Sequence, residues 1–169
     1  MFATIVAGLR LANWLNWIAA ALLTVFLVLL IANPDGLRDT ILSGFDGDPE
    51  ARQAVATYLI GILLLVPPLA WAVHFILTRL AALVHDAAAG SAFTERNAGR
   101  LHAIGWALLA INLADLVFGW LSVRASEATG EYFGWSISLT GWIAVPMLFV
   151  LAHVFREGAA MREDLEGTI

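Results

Sequence analysis

Cysteine and lysine are both absent from this 169-residue sequence, and charged residues of any kind make up only 14% of it. Without cysteine the chain can form no disulfide, no thiolate metal site and no cysteine nucleophile. Its nine basic residues, all arginine, face fourteen acidic residues, for a formal net charge of −5. Because a nucleic-acid surface needs excess positive charge, we expect no direct nucleic-acid binding by this chain.

The sequence also lacks the local motifs that mark common enzyme sites. It contains no G-x-S-x-G nucleophile elbow, no phosphate-binding P-loop, no H-E-x-x-H zinc motif and no G-x-G-x-x-G dinucleotide motif. Its histidines show no i,i+4 ligand pair, and no C-x-x-C-H haem motif is possible. We therefore expect a non-enzymatic protein with no catalytic residue, no metal and no cofactor.

Long apolar runs dominate what is present. Hydrophobic residues reach 60% of the chain, whereas a typical soluble domain has about 45–50%. A bilayer core of about 30 Å is crossed by roughly 20 apolar residues in a helix. Four stretches meet that length, at about 13–32, 54–78, 101–122 and 133–155. The sequence predicts one all-α domain over residues 1–169, a polytopic membrane four-helix bundle in the lipid bilayer.

The arginines predict how the four spans are oriented. Three arginines lie in the loops after the first and third spans, and six lie before the first span, after the fourth, or between the second and third. Because basic loops stay in the cytoplasm, both termini and the middle loop are expected to be cytoplasmic. The six are Arg10, Arg79, Arg96, Arg100, Arg156 and Arg162; the three are Arg38, Arg52 and Arg124.

Residues 79–100 and 156–169 are expected to form a structured cytoplasmic cap, because the second and fourth helices continue past the membrane. Gly90 is suited to end the second helix, and Thr94 to cap the start of the third. Arg100 is expected to pair with Glu157 or Glu166. This cap either closes on its own bundle or offers a docking face to a partner.

One face of the fourth helix is predicted to carry an apolar stripe through the cap. The stripe runs through Leu151, Phe155, Gly158, Met161 or Arg162, and Leu165, and it could pack on the apolar end of the second helix. The candidate residues of the cap or docking face are Phe93, Asn97, Arg100, Phe155, Arg156, Glu157, Gly158, Met161 and Glu166.

Two sets of polar residues fall inside the predicted spans, where ionisable groups are unfavourable. His74, His102 and His153 lie near the cytoplasmic ends of three helices; they are either interfacial side chains or a pH-sensing layer. Asn112 and Asp115 share a face of the third helix toward the outer leaflet, at a depth similar to Ser138. These three residues either bond between helices or form an intramembrane polar site.

Two motifs resemble a bacterial family of four-span membrane proteins of unknown function, DUF twenty-nine seventy-five. The first, G-x-x-F-x-x-x-N-x-x-R-L-x-x-I-G, matches the segment from Gly90 to Gly105. The second, V-F-x-x-G-x-x-L-x-x-x-x-E-G-T-I, matches the segment from Val154 to Ile169, with Met161 in place of the usual leucine. The resemblance implies a multi-pass protein of the bacterial inner membrane, encoded in many cases beside a small Cro/CI-type helix-turn-helix regulator.

That association, which comes with the resemblance, implies a sensor or anchor that binds or sequesters such a regulator in signal transduction. The alternative is a small oligomeric transporter or channel for a small solute or ion. A homo-oligomer fits both hypotheses.

Overall fold

Long helices make up most of the residues that the structure, a computed structural model, describes, namely 2–45 and 47–166. In chain order the α-helices are α1 (Phe2–Ala32), the short α2 (Asp39–Leu42), α3 (Pro49–Ala88), α4 (Glu95–Thr129) and α5 (Leu139–Glu166). A π-helical turn (Pro34–Arg38) precedes α2 and a 3-10 turn (Ser43–Phe45) follows it. No strand occurs among the described residues, which confirms the all-α prediction.

Four of these helices are long and apolar enough to cross a membrane: α1, α3, α4 and α5. Each contains most or all of one predicted span. Helix α3 continues ten residues past the predicted end of its span at residue 78, and α5 continues eleven residues past 155. The predicted helical extensions of the second and fourth spans are therefore present.

Helix α5 begins at Leu139, later than the predicted start of the fourth span near Phe133. Helix α4 ends just before Gly130, whose φ of +71° turns the chain out of the helix. Residues 131–138 form no helix, although Tyr132, Phe133, Trp135 and Ile137 among them are apolar or aromatic. Phe133 packs edge-on against the Tyr58 ring at 4.9 Å, and its N–H donates to Ser126 Oγ at 3.0 Å. Hydropathy alone does not distinguish such an apolar loop from the first turns of a helix.

The described residues group into two compact units by their internal contacts. Among the described residues, the first unit comprises 2–16, 71–112 and 138–166, and the second comprises 17–45, 47–70 and 113–137. Helices α1, α3 and α4 contribute residues to both. The cap belongs to the first unit.

Aliphatic side chains hold the second unit together. Leu27 and Leu30 of α1 cluster with Leu63 of α3. Leu42 of α2, with only 1% of its surface exposed, packs against α3 at Val55. Through Leu42, the loop between α1 and α3 is packed onto α3.

Glycines set close contacts of α4 in both units. In the second unit, a Cβ at the buried Gly119 would fall within 3 Å of ring atoms of Trp135. In the first unit, a Cβ at Gly105 would lie 2.9 Å from the Phe149 ring of α5. A side chain at either position would have to displace an aromatic ring, so the absence of one allows these segments to pack closely.

Candidate functional site

The turn between α3 and α4 is built by two local capping motifs. Helix α3 ends in a Schellman motif, in which Gly90 N–H donates to Ala87 O at 3.1 Å and Ser91 N–H donates to Asp86 O at 3.0 Å. Gly90 has the positive φ, +76°, that this motif requires. Helix α4 begins after Thr94, whose Oγ1 accepts the Asn97 N–H at 3.2 Å. Both predicted caps are confirmed.

Asn97 is the centre of the polar interior of the cap. Its side chain is fully buried, at 0% exposure. The Nδ2 group donates to the carbonyl oxygens of Ser91 at 3.2 Å and Ala92 at 3.0 Å. Its Oδ1 accepts a hydrogen bond from Arg100 Nη1 at 2.6 Å. Because both ends of the amide are bonded, the buried side chain fixes the turn to the first turns of α4.

Arg100 pairs with Asp86 and not with the predicted Glu157; the side chain of Glu166, the other predicted partner, lies outside the described part of the chain. The Nη1 to Oδ2 distance is 2.5 Å, and the two side chains are only 16% and 25% exposed. Asp86 lies eight residues beyond the predicted end of the second span. The hydrogen bond from Arg100 holds the pKa of the Asp86 carboxyl below its ordinary value, and the positive charges of Arg100, Arg96 and His85 act in the same direction.

This ion pair joins the end of α3 to the start of α4 across the turn. Together with Asn97 and the Schellman bonds it forms a continuous network, in which the carboxylate, the guanidinium and the amide each have a partner. A well-bonded polar network of this kind makes one arrangement of the turn strongly preferred. We call Asp86, Asn97 and Arg100 the turn network.

Phe93 projects from the turn onto α5. Its ring centroid lies 4.9 Å from that of Phe155. A Cβ at Gly158 would fall 2.9 Å from Phe93 Cδ1, so the lack of a side chain at Gly158 makes room for the ring. Phe93 still has 47% of its surface exposed. The structure therefore brings three predicted cap residues together and leaves an aromatic edge on the surface.

The buried stripe of α5 differs from the predicted one by about one residue. Ala152 and Ala159 are 2% and 3% exposed, whereas Leu151 is 42% and Met161 is 63% exposed. Phe155 is half-buried. Alanines contribute little to a hydropathy pattern, yet they allow the closest approach between helices, so the helix turns them inward.

Three further predicted cap residues, Arg156, Glu157 and Met161, lie on the surface. Arg156 and Glu157 are exposed, and Glu157 Oε1 lies 3.1 Å from Nε2 of His153, one turn earlier. Met161 is exposed as well. The side chain of Glu166, and residues Gly167, Thr168 and Ile169 of the second motif, lie outside the described part of the chain.

The three histidines of the predicted layer each have a separate partner. His74 Nδ1 lies 2.9 Å from Asn13 Oδ1 of α1. His102 Nε2 accepts the indole N–H of Trp106 at 3.1 Å, one turn along α4. His153 faces Glu157, as above. Within residues 2–45 and 47–166 no group of three His, Cys, Asp or Glu side chains could hold a metal ion.

The predicted intramembrane polar residues are likewise not bonded to one another in the described structure. Asn112 is buried, and its Nδ2 donates to Leu108 O at 3.0 Å. Its amide lies against Gly141 of α5, where a Cβ would overlap Asn112 Oδ1. Asp115 is half-buried, with no hydrogen bond or ion pair among the described residues, and Ser138 is exposed directly before α5.

Sequence reasoning overlooked the role of Asp86. Asp86 lies in the last turn of α3, where an acidic side chain is unfavourable next to the helix dipole. An acidic residue at the end of a helix, followed across a predicted turn by an arginine fourteen residues later, could have indicated this ion pair.

The four long apolar helices and the buried polar turn define an all-α integral membrane protein. The family model of proteins of unknown function called DUF2975 matches residues 46–169, more than half of the chain. The chain belongs to this family. No curated protein and no solved structure matches it.

Proposed function

We propose that this protein is a non-enzymatic sensor or anchor of the bacterial inner membrane, with both termini in the cytoplasm. Through its cap it binds or sequesters a small helix-turn-helix transcriptional regulator of the Cro/CI type. The carrying observation is that Phe93, on the turn that the turn network fixes, packs on α5 and still leaves an exposed aromatic edge, while Met161 of the same α5 is also exposed.

Rigid support is what distinguishes this surface from an exposed loop. Phe93 is anchored on one side by the Schellman turn and on the other by Phe155 and Gly158. A preorganised aromatic side chain loses little conformational entropy on binding, and such residues commonly supply most of the affinity of an interface.

The residues around the apolar pair suit the rim of an interface. Glu95, Arg96, Arg156 and Glu157 are exposed charged groups of both signs close in sequence to Phe93 or Phe155. Protein interfaces have an apolar centre and a polar, solvated rim. Exposed apolar surface beyond the predicted spans is not covered by the hydrocarbon of the bilayer, so a protein partner would remove it from water.

The test is co-purification of the detergent-solubilised full chain with the regulator encoded beside it. Met161→Ala truncates an exposed apolar side chain and should weaken the complex about 5- to 30-fold, as for about one or two kcal/mol at an interface. Met147→Ala is the matched control, because Met147 lies on the same helix and is 65% exposed, but within the predicted span.

Two outcomes would contradict the docking surface. The first is a regulator affinity that Met161→Ala and Met147→Ala lower equally. The second is a stable complex with no loss on combining Met161→Ala with Phe93→Ala, since Phe93 is the other exposed apolar group of the surface.

A second candidate function is a small oligomeric transporter or channel, which the position of Asp115 favours. A half-buried carboxylate within an apolar span, without a bonding partner among the described residues, is typical of ion and proton pathways. Solute or ion flux into proteoliposomes that Asp115→Asn abolishes would support this function over the first. If flux persists in the Asp115→Asn variant, Asp115 has no role in transport.

A further inference from the structure

An apolar groove with a basic rim lies between the first turns of α1 and the last turns of α3. Its walls include Phe2 and Val6 of α1 and Val84 of α3, and it encloses about 570 Å³. An adjoining hollow of about 290 Å³ lies along the same two helices. Arg10 and His85 line both hollows. A volume of this order suits a small molecule or the head of a lipid.

The contact between Asn13 and His74 places this groove relative to the predicted spans. These two residues lie at the cytoplasmic ends of their spans and hold α1 beside α3. Arg10 is three residues before Asn13, about 4.5 Å along the helix at 1.5 Å per residue. The polar headgroup layer extends about 5–8 Å beyond each side of the hydrocarbon core. Arg10 therefore lies at headgroup depth.

Among the described residues, the only ionisable side chains that line the groove are the basic residues Arg10 and His85. No acidic side chain lines either hollow, and Arg10 makes no ion pair among residues 2–45 and 47–166. The adjacent carboxylate, Asp86, is already bonded to Arg100. An exposed guanidinium without a counter-ion, above apolar walls, complements a ligand that has an anionic group attached to a hydrocarbon part.

We propose that this groove binds an anionic phospholipid of the surrounding bilayer. Arg10 would bond the headgroup phosphate, and His85 would donate a hydrogen bond to it. The side chains of Phe2, Val6 and Val84 would contact the glycerol and the first acyl carbons. Basic pockets between helices on the cytoplasmic side of membranes recognise lipids by this combination. The proposal does not depend on any bound regulator.

Native mass spectrometry of the full chain tests the proposal, with phosphatidylglycerol and phosphatidylcholine supplied in equal amounts. We expect one phosphatidylglycerol retained in preference to phosphatidylcholine, and Arg10→Gln should reduce that preference about 5-fold. Arg124→Gln is the matched control, because Arg124 is an exposed arginine lining a hollow that also contains the acidic Glu50. Both variants remove one surface charge and should leave the helical content unchanged.

The outcomes separate the lipid from other occupants. Equal loss of preference in the two variants would mean that overall charge, and not the groove, selects the lipid, and it would overturn the proposal. Soluble glycerol phosphate should not displace the lipid, because it lacks the hydrocarbon part. Displacement by glycerol phosphate at the same concentration would show a free-phosphate site. A second copy of the chain bound in place of lipid, seen as a dimer that Val84→Ser disrupts, would also refute it.

Discussion

Asn97→Ala should destabilise the cap more than any other single truncation of a polar side chain there. The substitution removes the acceptor for Arg100 and the donor for the carbonyls of Ser91 and Ala92. All of these groups are part-buried, so water replaces the lost partners poorly. Three hydrogen bonds at about 0.5–1.5 kcal/mol each, with the penalty of buried groups left unbonded, give a loss of about 2–4 kcal/mol in the free energy of unfolding.

The assay is denaturant unfolding of the full chain in detergent micelles, followed by circular dichroism. Asn112→Ala is the matched control, because Asn112 is also a buried asparagine of α4. Its amide, however, donates a hydrogen bond to a carbonyl of its own helix, Leu108 O. We expect Asn112→Ala to lower the free energy of unfolding by less than Asn97→Ala does, with a difference of at least about 1 kcal/mol. Equal losses at the two positions would refute the central role of the Asn97 amide.

Two glycines and one ion pair give further expected outcomes. Gly119→Ala should lower the free energy of unfolding by about 1–3 kcal/mol, because its Cβ meets a packed indole. Gly158→Ala should cost less, because the higher helix propensity of alanine offsets part of the cost of displacing the Phe93 ring. Parallel unfolding curves rank the two variants. Because Arg100 lowers the pKa of folded Asp86, the pair stabilises the fold at neutral pH, and this stabilisation is lost as the pH falls below about 4 toward the lowered pKa. The stability difference between the native chain and Asp86→Asn should therefore shrink between pH 7 and pH 3; an unchanged difference would contradict the assignment.

Local signals in the sequence predicted most of the fold. Hydrophobic length identifies the four spans, because a helix that crosses hydrocarbon satisfies its own backbone. The caps at Gly90 and Thr94 were predictable because each depends on the residue itself and on bonds to the next few residues.

Features that depend on packing between helices were not predictable in the same way. Arg100 had several acidic candidates, and only the turn geometry selects Asp86. The buried face of α5 was misjudged because Ala152 and Ala159, small and only weakly hydrophobic, are the residues turned inward. The start of α5 was misplaced because Phe133 packs against the Tyr58 ring from the segment before the helix.

The side of the membrane on which the cap lies can be measured with single cysteines, since the natural chain has none. Met161→Cys and Tyr132→Cys replace exposed side chains, 63% and 82% exposed, on α5 and in the segment before it. In intact cells, a membrane-impermeant maleimide should label Tyr132→Cys and should label Met161→Cys only after the inner membrane is permeabilised. Labelling of Met161→Cys from outside would place the cap away from any cytoplasmic regulator and would contradict the proposed function.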